Sequence, residues 1–83
     1  MTGNKYAPLA QHLRMVDAAK VTMTFADIEV LIGASLPPSA HNHAEWWAAR
    51  TPRRSQDFAW LGVGWEVDKA DRDRKLVTFR KIN

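Results

Sequence analysis

The chain's 83 residues, 46% hydrophobic and 25% charged with four tryptophans, suit one small globular domain with an aromatic core and leave no room for a separate catalytic domain. The absence of cysteine removes disulfides and thiolate metal sites, and no stretch has the apolar run of a signal core or a membrane span, so the chain reads as soluble, cytoplasmic and without a membrane partner. The formal charge of +3 is uneven, −1 over residues 1–45 and +4 over residues 46–83, which points to a polyanion met by the C-terminal half.

In KYAPLAQHLRMV the residues Tyr6, Leu9, Ala10, Leu13 and Val16 recur near helical spacing, with Pro8 close to the start, and predict a first helix. KVTMTF alternates Val21, Met23 and Phe25 with Thr22 and Thr24, the pattern of a short strand. Thr24 followed three residues later by Asp27 is a variant capping box, and Phe25, Ile28, Leu31 and Ile32 line one face of a second helix that ends at Gly33. ASLPP breaks that helix. Ser39 is then placed to cap a short helix, AHNHAEWWAAR, on which Ala40, Ala44, Trp47 and Ala48 share a side and Trp46 points elsewhere.

After TPRR, Ser55 is placed to cap QDFAWLGVG, with Phe58, Leu61, Gly62 and Trp65 facing inward, Trp60 off that stripe and Gly64 at the end. WEVDKADRDRKLVTFRKI predicts two strands around a charged turn, Trp65 and Val67 facing Val77 and Phe79. The order helix, strand, helix, short helix, helix, β-hairpin is that of a small α+β, winged helix-turn-helix-like domain over residues 1–83. Its turn is enlarged to about twenty residues between Gly33 and Ser55, where three or four are usual. An unrelated small α+β fold with the same order is the alternative.

The letters HNH at His41–His43 do not make a nuclease. Two residues apart on a helix, His41 and His43 diverge by roughly 200°, and with Glu45 but no cysteine they form no metal set. The nine carboxylates are scattered among basic neighbours, and no phosphate loop, nucleophile elbow or metalloprotease helix is present. The sequence therefore predicts neither an enzyme nor a cofactor.

Two basic sets flank the helix at Ser55. Arg50, Arg53, Arg54, Ser55 and Gln56 precede or open it, where free amides and arginines attract phosphate and Gln56 is the right type to read an adenine edge. Asp57 opposes phosphate there. Lys69, Arg72, Arg74 and Lys75 lie in the hairpin turn, where a wing meets the DNA backbone or minor groove. These residues make a non-enzymatic, regulatory DNA-binding module the leading expectation, with no dimer signature, although a homodimer fits the class. The rival is a protein-interaction module or inhibitor with Trp46 and Trp60 exposed as anchors. A core holding all four tryptophans is the plain structural reading.

Taken together, KYAPL, VTMTFADIEVLIG, LPPSA, WW, SQDFAWLGVGWEV and VTFRK resemble a family of short, mostly uncharacterised bacterial and phage domains, along Lys5 to Arg80. The resemblance implies a compact α+β unit, winged-helix-like, met in DNA-related contexts and without established catalytic residues. The chain departs from the resembled pattern at His41, where members of the family often have a basic residue after LPPSA, and at Arg54 to Asp57, where RSQD stands in place of the common HSQA.

Overall fold

The computed structural model describes residues 5–48 and 54–82, with Ser55 described in its backbone alone. In chain order the elements are α1 (Ala7–Met15), β1 (Lys20–Thr24), α2 (Phe25–Ile32), α3 (Pro38–Asn42), a 3-10 turn (Ala44–Trp46), α4 (Ser55–Leu61), β2 (Trp65–Asp71) and β3 (Leu76–Lys81). Among the described residues this is an α+β architecture of four helices and one antiparallel sheet, with strand order β1-β3-β2.

Local chemistry sets the limits of α2. Thr24 Oγ1 accepts from the Asp27 amide at 2.9 Å, and Asp27 Oδ2 accepts from the Thr24 amide at 3.0 Å, which closes a reciprocal box at the helix start. Gly33, at φ 69°, ends the helix in the left-handed region that a residue with a Cβ enters only at a cost. Glu29 Oε2 then accepts from the Leu36 amide at 2.8 Å, turning the chain into the Pro37–Pro38 corner. Pro38 occupies the first turn of α3, where a missing amide hydrogen costs nothing, so the helix begins one residue before the Ser39 cap expected from the sequence.

The sheet sorts side chains by alternation. β3 is central, pairing Val77 with Met23 and Phe79 with Val21 on one side, and Val77 with Ala70 and Phe79 with Val67 on the other. These residues face the helices. Met23, Val77, Phe79 and Trp65 are buried with Leu9, Leu13, Phe25 and Ile28 in a shared core. A bulge between Val67 and Lys69 interrupts β2 and leaves Asp68 as the extra residue.

The tryptophan segment differs from the expected continuous helix. α3 stops at Asn42, His43 is extended (φ −130°, ψ 118°), and the 3-10 turn follows. That break inserts the turn edge-on, so adjacent tryptophans both enter the core. Trp46 packs on Tyr6 with ring centroids 6.0 Å apart, and Trp47 stacks on Phe25 at 5.2 Å and on Trp60 at 5.8 Å. Trp47 Nε1 donates to the Ala40 carbonyl at 2.8 Å, satisfying its one polar group. The reading of Trp46 and Trp60 as exposed anchors is thereby corrected: their relative exposures are 6% and 1%.

α4 is rotated from its expected face for the same reason. Trp60 is drawn inward by Trp47 and by Phe79, 5.6 Å away, and it carries Gln56, Asp57 and Ala59 with it. Phe58, expected inside, is 52% exposed.

Candidate functional site

At the start of α4, Arg50, Arg53 and the Ser55 side chain lie outside the described residues. The described part of this basic set turns toward its own fold. Arg54 Nη2 donates to the Glu45 carbonyl at 3.1 Å, and its Nε lies 3.6 Å from Asp57 Oδ2. That same carboxylate oxygen accepts from the Arg54 amide at 3.1 Å. Asp57 thus caps α4 from within the core and fastens the 3-10 turn to the helix through Arg54.

Gln56 is 5% exposed, which corrects its assignment to a base edge: the rotation that buries Trp60 places Gln56 beneath the surface. Its Nε2 and Trp60 Nε1 have no hydrogen-bond partner among the described residues. A glutamine in the first turn of a helix reads as surface in sequence, and nothing local marks it as buried.

The second basic set is exposed. Lys69 ends the bulge, and Arg72, Arg74 and Lys75 lie in the four-residue turn between β2 and β3. The turn is internally fixed, since Asp71 Oδ1 accepts from the Arg74 amide at 3.0 Å, with Arg74 Nε 3.9 Å from Asp71 Oδ2. It is also tied to the helical layer, because the Lys75 carbonyl accepts from the Phe25 amide at 2.9 Å. Lys75 itself adopts φ 58°, a left-handed conformation natural to glycine or asparagine.

The sheet face opposite the core brings in cations that the sequence reading did not single out. Register places Lys20, Arg80 and Glu66 in one row, and Thr22, Thr78 and Lys69 in the next. In the first row charges compensate: Lys20 Nζ is 3.6 Å from Asp68, and Arg80 lies 3.9 Å from Asp68 while its Nε donates to Glu66 at 3.0 Å. The hydrogen bond that Arg80 donates to Glu66, then the charge of that carboxylate, holds the Arg80 guanidinium pKa above its ordinary value. In the second row Thr22 and Thr78 share a hydroxyl hydrogen bond of 2.9 Å. Only strand pairing reveals these neighbours, Lys20 and Arg80 lying 60 residues apart in sequence.

Two depressions flank Lys69. One, of about 360 Å³, runs between Trp47 and the bulged edge of β2, and a smaller one of about 150 Å³ lies on the outer face between Thr22, Asp71, Arg74, Leu76 and Thr78. The two histidines diverge. His41 packs edge-on against Phe25 at 5.2 Å, whereas His43 is exposed with Nδ1 3.8 Å from Glu45. Among the described residues no group of three His, Cys, Asp or Glu side chains is placed to hold a metal, and no helix is long and apolar enough to cross a membrane.

The whole folded unit, from Tyr6 in the core to Ile82 hydrogen-bonded to the Gly64 carbonyl, falls within one family match. The chain belongs to a family of domains of unknown function, DUF7662, matched over residues 6–82. No curated protein and no solved structure matches the chain. Within that matched span Arg54 and Asp57, three residues apart in sequence, are partners in space.

Proposed function

We propose that the domain is a non-enzymatic DNA-binding module of winged-helix type, in which the β2–β3 hairpin rather than α4 makes the principal contact. The observation that carries this reading is the hairpin tip, where Arg72, Arg74 and Lys75 are all exposed on a turn fixed by Asp71 and by the Phe25 amide, with Lys69 exposed beside it on β2 rather than in the turn itself. Supporting the reading are β1 between α1 and α2, its pairing with β3, and α4 leading into the β2–β3 hairpin, an order expected of a winged helix with α3 and the 3-10 turn as an insertion. Lys75 adds weight. A cation in a left-handed position where glycine is relaxed is a local cost of about 1 kcal/mol, the kind of strain that clusters at functional sites.

α4 supplies little in this arrangement, since Gln56 and Asp57 are buried and Arg54 is engaged with the fold. The competing protein-interaction reading has lost both of its tryptophan anchors to the core. The test is fluorescence anisotropy of labelled duplex DNA at low and moderate salt, comparing the native chain with Arg72→Ala/Lys75→Ala. Binding by the native chain should fall steeply with salt, and the double variant should bind more weakly with a slope shallower by about two. No binding at low salt would reject the proposal.

A further inference from the structure

Among the described residues, the sheet face turned away from the helices has none that is buried: Lys20, Thr22, Asp68, Lys69 and Arg80 are exposed, and Thr24, Glu66, Asp71, Leu76 and Thr78 are half-buried. None of these described residues is aromatic, because Trp65, Phe79 and the other buried rings sit on the core side. Charge divides this face in two. At the end near Lys20 and Arg80, two cations meet Glu66 and Asp68 and cancel. Toward the hairpin tip, Lys69, Arg72, Arg74 and Lys75 outnumber Asp71 and Asp73, and the Asp71 carboxylate is already held by the Arg74 amide.

We infer that the tip-proximal half of this face, formed by Thr22, Lys69, Arg74 and Thr78, is a phosphate-binding strip continuous with the hairpin tip. Its ligand is the sugar–phosphate backbone of duplex DNA. The inference rests on the DNA-binding reading above and goes beyond it, since the wing contact needs only the turn. Three observations carry it. The depression of about 150 Å³ is bordered by these four residues together with Leu76 and Asp71, whose carboxylate is engaged by Arg74. Lys69 makes no ion pair among the described residues, so its ammonium remains available to a phosphate. The Thr22–Thr78 pair uses one hydroxyl hydrogen internally and leaves the other to donate outward. The lack of aromatics selects duplex over single strand, because single-strand binders stack bases on exposed rings.

The test uses the whole chain with duplex DNA at two salt concentrations, comparing Lys69→Ala, Thr78→Val and, as a control on the compensated half, Lys20→Ala. Circular dichroism would check that each variant is folded. Lys69→Ala should weaken binding about five- to tenfold at low salt and shallow the salt slope by about one, as one lost phosphate contact does. Thr78→Val should cost about threefold with little change of slope, a neutral hydrogen bond lost, and Lys20→Ala should stay within about twofold. If Arg72→Ala/Lys75→Ala impairs binding while Lys69→Ala and Thr78→Val do not, the strip is overturned and the wing reading survives. Tighter binding to a single strand of the same sequence would overturn the choice of duplex. If the native chain binds no duplex at low salt, both readings fall together.

Discussion

The Arg54 Nε and Asp57 Oδ2 lie 3.6 Å apart, with the aspartate side chain wholly buried and the arginine side chain 45% exposed. The pair joins three pieces of chain, because Asp57 also accepts from the Arg54 amide and Arg54 also donates to the Glu45 carbonyl. Asp57→Ala should therefore destabilise the fold by about 2 to 3 kcal/mol, through a lost cap and an unpaired amide. Arg54→Ala should cost about 1 to 2 kcal/mol, reduced by the arginine's contact with water. In urea unfolding the double substitution should cost less than the sum of the two by about 1 kcal/mol. Strict additivity would show that the pair does not act as one unit.

Lys75 separates stability from binding. Its φ of 58° disfavours any residue with a Cβ, so Lys75→Gly should raise stability by a few tenths to about 1 kcal/mol. The same change removes a cation from the tip and should weaken duplex DNA binding several-fold. Thermal unfolding and anisotropy on one sample would check both signs. A variant that is more stable and binds unchanged would take Lys75 out of the contact.

The tryptophans offer an optical check on the core. With exposures of 6%, 2%, 1% and 1% for Trp46, Trp47, Trp60 and Trp65, emission from the native chain should be blue-shifted and poorly quenched by acrylamide until unfolding. Trp47→Phe should cost about 2 kcal/mol or more, since it removes the hydrogen bond to the Ala40 carbonyl and leaves space between Phe25 and Trp60. Ready quenching in native buffer would contradict this packing.

Tyr6 predicts an alkaline limit. Burial raises its phenol pKa above the ordinary 10.0. A group with a raised folded pKa contributes stability that is complete below its unfolded value and is lost as pH rises through the folded one. Stability should therefore decline above about pH 10, and Tyr6→Phe should flatten that decline in unfolding titrations followed by circular dichroism. An unchanged alkaline slope in the variant would assign the loss to other groups.

Elements closed by their own neighbours were legible in the sequence. Thr24, Asp27 and Gly33 mark both ends of α2 because cap and terminator act within a few residues, and the pairing of Val67 with Phe79 follows from alternation around a charged turn. α4 was not legible in its orientation. Gln56 and Asp57 are polar and yet buried, and what turns them inward is Trp47, ten residues away and reached only after a break at His43. The candidate site divides in the same way. The cations of the turn stand together in sequence, whereas the compensation of Lys20 and Arg80 by Glu66 and Asp68 exists only once β3 lies between β1 and β2.

The bulge at Asp68 has a consequence for how molecules of this protein meet in concentrated solution. β2 lies at the edge of the sheet, and a regular edge is a template on which a neighbouring chain adds its own strand. Deleting Asp68 would leave Val67 opposite Phe79 followed directly by Lys69 opposite Thr78, a continuous ladder. It would also strip Lys20 and Arg80 of a shared counter-charge. The shortened chain should keep its fold but scatter light and enlarge with time, because the misfit residue is what keeps each molecule from becoming the next strand of another.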